Sequence, residues 1–171
     1  MPVTKRALII VLLAGAAGYI SPWGHAAGPP SAAAASSCPA KLPAAVSSAR
    51  TGARLELVPA GARSLLLCTY HGLNPASTAG ELERTRRVRS AAELDWLVRT
   101  FNALPARTGL SGCPMDDGSA TLALFGYSTA PIDEVSVGLT GCRVVQNGYL
   151  TRTASLTPGP ALLARLASLL G

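Results

Sequence analysis

The feature that most constrains this chain is its set of four cysteines, Cys38, Cys68, Cys113 and Cys142, all of which follow an apolar N-terminal segment. An even number of cysteines in an exported chain is typical of disulfides, and four cysteines allow three pairings. Pairing Cys38 with Cys68 and Cys113 with Cys142 closes two loops of about 30 residues, which stabilise a fold by roughly 3 to 4 kcal/mol each on the chain-entropy model. Each loop stays within one half of the chain, so the spacing favours these two disulfides.

Zinc binding is the alternative use of the cysteines. Structural zinc sites use paired Cys-x-x-Cys spacing, which this chain lacks, and only His71 follows the N-terminal segment as a further ligand. The sequence therefore favours disulfides over a metal site, and we expect no cofactor.

The N-terminus has the layout of a secretory signal. A basic start, MPVTKR, precedes a largely apolar run at residues 7–20, and the small residues Gly24 and Ala26 predict cleavage after Ala26. The run is shorter than the roughly 18 to 20 residues that span a bilayer. We therefore expect a secreted or extracytoplasmic protein, retained at the membrane only if the signal, residues 1–26, is not removed.

Beyond the signal, composition divides the chain into a flexible lead-in and one domain. Residues 27–37, rich in Pro, Ala and Ser, have nothing to bury, and residues 38–171 fit the length of a single domain. Without Lys5 and Arg6, the 15 basic residues fall to 13 against 9 acidic ones, a net charge of +4. That excess is ordinary for solubility and does not by itself indicate nucleic acid.

Hydrophobic periodicity in the first half predicts three strands. Residues 55–58 and SLLLCTY at 64–70 flank the turn signal PAGA and predict a hairpin of two short strands. The stretch ELERTRRVR at 81–89 carries charge on both alternating faces, which is typical of a weak edge strand.

The second half predicts a helix, four strands and a closing helix. Ser90 and Glu93 form a capping box ahead of apolar residues at helical spacing, and Pro105 ends that helix. ATLALFGY and EVSVGL alternate as strands, Asn147-Gly148 is a strong hairpin signal, and PALLARLASLL is a short amphipathic helix. The order predicts an α+β fold in which one main helix and a short C-terminal helix cover an antiparallel sheet.

The chain is poor in catalytic groups. A Ser-His-Asp arrangement would have to use His71, next to Gly72 at the end of a predicted strand, and no GxSxG elbow presents a serine. Oxidised cysteines supply no thiolate nucleophile. We therefore expect a protein without enzymatic activity, with His71 at the surface end of a strand.

Two pairs of neighbouring carboxylates occur, Asp116-Asp117 and Asp133-Glu134. General acid–base chemistry needs two carboxyls that face each other across a bond, whereas neighbours on a strand point to opposite faces. Each pair lies beside a glycine or proline typical of turns, where aspartate caps the backbone. We therefore interpret both pairs as turn residues rather than as acid–base or calcium sites.

A basic run contains four arginines, Arg84, Arg86, Arg87 and Arg89. Such a run predicts either a surface for an anionic partner (a wall polymer, a phospholipid surface or an acidic protein) or a sheet edge where charge prevents unwanted strand pairing. Two nearby glutamates favour the guarded edge. No aromatic residues interleave for base stacking, so we expect no nucleic acid partner.

Five segments follow one another along the predicted domain: CPAKLP, LELVPAGARSLLLCTYHGLNP, LVRTFNALP, GCPMDDGSATLALFGY and VSVGLTGCRVVQNG. Their order of Cys-Pro, Leu-Cys-x-Tyr, Asn-x-Leu-Pro, Cys-Pro, Gly-Cys and Asn-Gly resembles a widespread set of actinobacterial secreted or envelope proteins of unassigned function. The resemblance covers nearly the whole predicted domain. It implies a small disulfide-bonded extracytoplasmic domain and no particular activity.

The tripeptide Cys113-Pro114-Met115, with Cys142 as the partner of Cys113, is similar to the reactive loop of the Streptomyces subtilisin inhibitor family. The similarity implies that Met115 fills the primary pocket of a serine protease and that Asp116 follows the scissile bond. A carboxylate at that place is unfavourable for most such proteases. The sequence therefore favours a disulfide-held turn that leads into the next strand.

Together these features predict a secreted or cell-envelope binding or structural module without enzymatic activity. Its partner is expected to be a protein or a component of the cell envelope, with no nucleic acid and no small-molecule cofactor. The alternative is a serine protease inhibitor that uses the Cys113-Pro114-Met115 loop.

Overall fold

The structure is a computed structural model that describes residues 37–108, 112–129 and 131–171. The predicted signal and all of the predicted lead-in except Ser37 lie outside the described residues. Within the described ranges, no helix is long and apolar enough to cross a membrane.

The described residues form one antiparallel sheet and two helices. The strands are β1 (Ser64–Tyr70), β2 (Leu82–Val88), β3 (Ala120–Gly126), β4 (Asp133–Gly138), β5 (Val144–Gln146) and β6 (Thr151–Thr153). The helices are α1 (Ala91–Asn102) and α2 (Gly159–Leu170), and a single 3₁₀ turn spans Ala76–Thr78. The strand order is β2-β1-β3-β4-β5-β6. The predicted α+β fold is confirmed, and β2 lies at an edge of the sheet, as its charged faces predicted.

One face of the sheet packs against both helices because alternate strand residues on that face are apolar. Leu65 and Leu67 of β1 and Phe125 of β3 share a core with Phe101 of α1 and Leu166 of α2. The rings of Phe101 and Phe125 meet edge to face with 5.7 Å between their centroids. The sheet therefore covers the apolar stripe that the helical spacing predicted.

The opposite face of the sheet is covered by the chain segment 38–48. The residues that form this second core are Leu66, Cys68, Tyr70, Leu122, Leu124 and Val46, with Cys38 and Leu42 packed against it. The main-chain N–H of Leu42 donates to the oxygen of Gly80 at 2.8 Å, and the hydroxyl of Tyr70 donates to the carbonyl of Pro39 at 3.0 Å. Because both faces are covered, every residue of β3 is buried.

Both predicted disulfides are confirmed. Cys38 bonds to Cys68 with 5.7 Å between their Cα atoms, and Cys113 bonds to Cys142 with a Cα separation of 5.0 Å. The zinc alternative is wrong, because all four sulfurs are in disulfides. The first disulfide fixes segment 38–48 to β1, and the second fixes the approach to β3 to the turn after β4.

The predicted strand at residues 55–58 is wrong. These residues form a loop whose main-chain groups bond to side-chain amides instead of to a neighbouring strand. The amide of Asn147 donates to the carbonyls of Ala53, Glu56 and Leu57 at 2.9, 3.1 and 3.1 Å. The side chain of Asn102 bonds to both the N–H and the carbonyl of Val58, at 3.0 and 2.8 Å. The apolar residues Leu57 and Val58 are buried, which explains why the segment has the composition of a strand.

The hairpin predicted at Asn147-Gly148 is confirmed, although its connection is longer than two residues. Strands β5 and β6 are joined by residues 147–150, and the Oδ1 of Asn147 accepts from the N–H groups of Tyr149 and Leu150. Gly148 has a φ of +88°, and a Cβ there would lie 2.6 Å from the carbonyl oxygen of Val46. Both the conformation and the close approach require glycine.

Only half of the predicted capping box forms at the start of α1. The Oγ of Ser90 accepts from the main-chain N–H of Glu93 at 3.4 Å. The carboxylate of Glu93 instead pairs with the guanidinium of Arg165 on α2, and this hydrogen bond lowers the pKa of Glu93. The side chain of Glu93 therefore joins the two helices instead of completing the capping box.

Candidate functional site

The loop with the inhibitor-like sequence is a tight turn with an exposed tip. The main-chain N–H of Asp116 donates to the carbonyl of Cys113 at 3.4 Å, which places Pro114 and Met115 at the two central positions. Met115 has a φ of +65°, and its side chain is 92% exposed. Proline followed by a left-handed residue fits a type II turn, in which the second central residue is usually glycine. We call residues 113–118 the Met115 loop.

The two aspartates of the Met115 loop cap its backbone. The N–H of Gly118 donates to the Oδ1 of Asp116 at 3.0 Å, and the N–H of Ser119 donates to the Oδ1 of Asp117 at 2.9 Å. The hydroxyl of Thr140 also donates to Asp117, at 2.6 Å. The hydrogen bonds from Thr140 and Ser119 stabilise the carboxylate and lower the pKa of Asp117 to about 2. The interpretation of this pair as turn residues is confirmed.

Two glycines make room for the Met115 loop. A Cβ at Gly72 would lie 2.7 Å from the main-chain oxygen of Asp117, and a Cβ at Gly141 would lie 2.5 Å from the Cβ of Asp116. The N–H of Leu73 donates to the oxygen of Asp117 at 2.6 Å. The loop is therefore held by a disulfide, by side-chain caps and by close packing on both sides.

The geometry of the Met115 loop meets one requirement of a substrate-like inhibitor and not the other. An inhibitor of this kind must expose Met115, and it must hold the backbone extended so that it lies in the protease cleft as a substrate does. Met115 is exposed, but its left-handed φ bends the chain at the residue that would enter the primary pocket.

The second carboxylate pair is not a turn, and that interpretation is wrong. Asp133 begins β4 and is fully buried, and its Oδ1 accepts from the hydroxyl of Ser48. Its Oδ2 has no hydrogen-bond partner among the described residues. Burial raises the pKa of Asp133 to about 6, although the hydrogen bond from Ser48 opposes the shift. Glu134 points to the other face, where its carboxylate accepts from the N–H of Ser47 at 3.2 Å.

The four arginines of the basic run do not form one surface. Arg84 and Arg86 lie opposite Thr69 and Leu67 of β1, on the face that the helices cover. Arg87 lies opposite Leu66, on the other face, and Arg89 follows the end of the strand. Because side chains alternate along a strand, adjacent arginines are separated by the sheet.

His71 directly follows β1, as predicted. Its main-chain N–H donates to the carbonyl of Glu81 at 3.0 Å, and its Nδ1 lies 4.0 Å from a carboxylate oxygen of Glu83. Within the described ranges, no group of His, Cys, Asp and Glu side chains is arranged to hold a metal ion.

A second exposed surface, which the sequence did not indicate, lies at the opposite end of the sheet. Leu55 is 82% exposed, and the guanidinium of Arg54 stacks on the ring of Tyr149, 4.3 Å from its centroid. These three residues line a cavity of about 450 Å³ together with residues 48–52. No pattern in the sequence indicated it, because Tyr149 is far from Arg54 along the chain.

Comparison with known proteins identifies no relative: no family model matches this chain, and neither a curated protein nor a solved structure is similar to it.

Proposed function

We propose that this protein is an extracytoplasmic, non-enzymatic binding module that presents the Met115 loop to a protein or another component of the cell envelope. The observation that carries the proposal is the combination of full exposure and left-handed backbone at Met115. The left-handed conformation costs an ordinary residue roughly 1 to 2 kcal/mol relative to glycine. A side chain that is 92% exposed contributes little packing to offset that cost.

The rigidity of the loop supports a role in binding. Binding orders flexible groups at a cost in entropy, so a loop fixed beforehand binds more tightly. The Met115 loop is fixed by Cys113–Cys142, by the Asp117–Thr140 hydrogen bond and by its contacts with Gly72 and Gly141. An exposed methionine adapts to an apolar pocket of a partner because its side chain is flexible and polarisable.

The disulfides support the location and the absence of covalent catalysis. Disulfides persist in oxidising, extracytoplasmic compartments. Cysteines that are all oxidised supply no thiolate nucleophile.

Replacing Met115 by glycine should weaken partner binding about thirtyfold or more while the protein stays folded. Loss of a central anchor weakens binding by about 2 kcal/mol or more, roughly thirtyfold in Kd. The test is retention of solubilised cell-envelope components on the immobilised oxidised protein, followed by titration of the retained component against each variant. Leu55→Ala is the control, because Leu55 is another largely exposed apolar residue, 82% against 92% for Met115, at the other end of the sheet. A component lost with Leu55→Ala but kept by Met115→Gly would contradict the proposal.

A serine protease inhibitor is the second candidate, favoured by the exposure of Met115 and by the disulfide at Cys113. Because the backbone of Met115 is left-handed and Asp116 would follow the scissile bond, we expect no inhibition of subtilisin at nanomolar concentrations of this protein. The measurement is residual hydrolysis of a peptide substrate after preincubation. Stoichiometric inhibition that disappears in Met115→Gly would establish the inhibitor function instead.

A further inference from the structure

A pocket of about 260 Å³ opens between the C-terminal half of α2 and the end of the sheet nearest the Met115 loop. Leucines form its apolar side, contributed by α2 and by the residue after β4: Leu139, Leu163, Leu166 and Leu170. Its polar side is formed by Thr69, Thr121, Glu83 and Arg84. We call it the α2 pocket.

The polar side of the α2 pocket is a row across three strands. Arg84 of β2 lies opposite Thr69 of β1, and Thr69 lies opposite Thr121 of β3, so the three side chains share one face. Along β1 and β3 this face is otherwise apolar, with Leu65, Leu67, Ala123 and Phe125 in the core. On this face the apolar residues belong to the core, and the two threonines at its end line the pocket.

The threonine pair has one hydrogen left to donate. The hydroxyls of Thr69 and Thr121 are 3.3 Å apart, so one donates to the other. Each hydroxyl carries one hydrogen. The second hydrogen meets no acceptor in the part of the chain that the structure describes, although both residues are buried.

Arg84 adds positive charge beside this donor. Its Nη1 donates to the main-chain oxygen of Gly171 at 3.3 Å, and its Nε lies 3.3 Å from a carboxylate oxygen of Glu83. A guanidinium has five N–H donors in a planar fork that suits a carboxylate. Several donors of Arg84 are therefore left for a further anion.

We infer that the α2 pocket binds a small monocarboxylate with an apolar tail. The carboxylate accepts from Arg84 and from the hydroxyl of Thr69, the member of the threonine pair that is not fully buried, and the tail lies against the leucines of α2. Glu83 at the rim opposes an anion and keeps the affinity moderate. The inference is independent of the Met115 loop, which does not line this pocket.

The test is titration of the oxidised full chain with octanoate, followed by NMR shifts and calorimetry. Arg84→Gln should weaken octanoate binding about tenfold or more, because it removes the charged hydrogen-bond donors that face the carboxylate. Arg86→Gln is the matched control, since Arg86 lies two residues further along the same strand and face but outside the pocket; it should leave Kd within about twofold, as surface charges contribute little. Glu83→Gln should tighten binding, and Thr69→Val, which removes the hydroxyl that is not fully buried, should weaken it.

Comparing the affinities of different ligands separates the contribution of the carboxylate from the contribution of the apolar tail. Acetate lacks the tail and octanol lacks the charge, so both should bind more weakly than octanoate. Absence of octanoate binding at millimolar concentration would overturn the inference. Equal effects of Arg84→Gln and Arg86→Gln on octanoate binding would also overturn it. Because the side chain of Arg84 is half exposed, we expect Arg84→Gln to leave the packing of the core unchanged.

Discussion

Replacing Asn147 by alanine should lower the free energy of unfolding by roughly 3 to 5 kcal/mol, because each buried polar group left without a partner costs about 1 to 3 kcal/mol. Asn147 is fully buried. Its amide bonds three carbonyls of residues 53–57, and its Oδ1 bonds two N–H groups in the β5–β6 connection. The change therefore leaves polar groups of two loops without partners at once.

Two variants serve as controls for the Asn147 prediction, and chemical denaturation with circular dichroism measures all of them. Asn102→Ala removes a half-buried amide that bonds Val58 and Glu56, and it should cost less than Asn147→Ala. Asn147→Asp keeps the acceptor for Tyr149 and Leu150 but aims a carboxylate at three carbonyls, so it should also be strongly destabilising at neutral pH. An Asn147→Ala loss below about 1 kcal/mol, the net contribution of a single hydrogen bond, would contradict this account of the loop.

Removing Cys38–Cys68 should destabilise the protein more than removing Cys113–Cys142. The two disulfides join residues 30 and 29 positions apart, so the chain-entropy term is nearly equal, about 3.5 kcal/mol for each. Only Cys38–Cys68 also fixes segment 38–48 over the second core, where Val46 and Leu42 cover Tyr70 and Leu122. Removing this disulfide therefore exposes apolar surface in the folded protein, in addition to raising the conformational entropy of the unfolded chain.

The comparison uses paired alanine variants, C38A/C68A and C113A/C142A, under the same denaturation conditions. We expect the first pair to be less stable than the second by at least about 1 kcal/mol, the effect of exposing roughly 40 Å² of apolar surface. The reverse order would show that segment 38–48 contributes little to the fold.

Most of the features that the sequence predicted have a cause that lies within a few residues, and the disulfides are the exception. Ser90 and Glu93 are three positions apart and mark the start of α1, and Asn147-Gly148 marks its own hairpin. The disulfides could be predicted because loop lengths limit the reasonable pairings. The charges on both faces of β2 identified an edge strand, because a strand with charge on both faces cannot lie in the middle of a buried sheet.

Features that depend on distant residues could not be predicted. Asp133 looked like a turn residue beside Pro131. Its carboxylate is instead buried and accepts a hydrogen bond from the hydroxyl of Ser48, 85 positions away. Residues 55–58 look like a strand because Leu57 and Val58 are buried, but Asn147 and Asn102 satisfy their backbone. The Met115 loop is likewise held by residues that follow β4: Thr140 donates to Asp117, and Gly141 leaves room for Asp116.

The free energy of unfolding of Met115→Gly tests most directly whether Met115 serves a partner or the fold. Glycine relieves the left-handed backbone at φ +65° but gives the unfolded chain more freedom, and these effects nearly cancel. Because the exposed side chain packs against little, the account predicts a stability equal to that of the parent or higher by up to about 1 kcal/mol. A loss of about 2 kcal/mol or more, which is typical of removing a buried apolar side chain, would show that Met115 holds the fold together and would contradict the binding role that we propose for it.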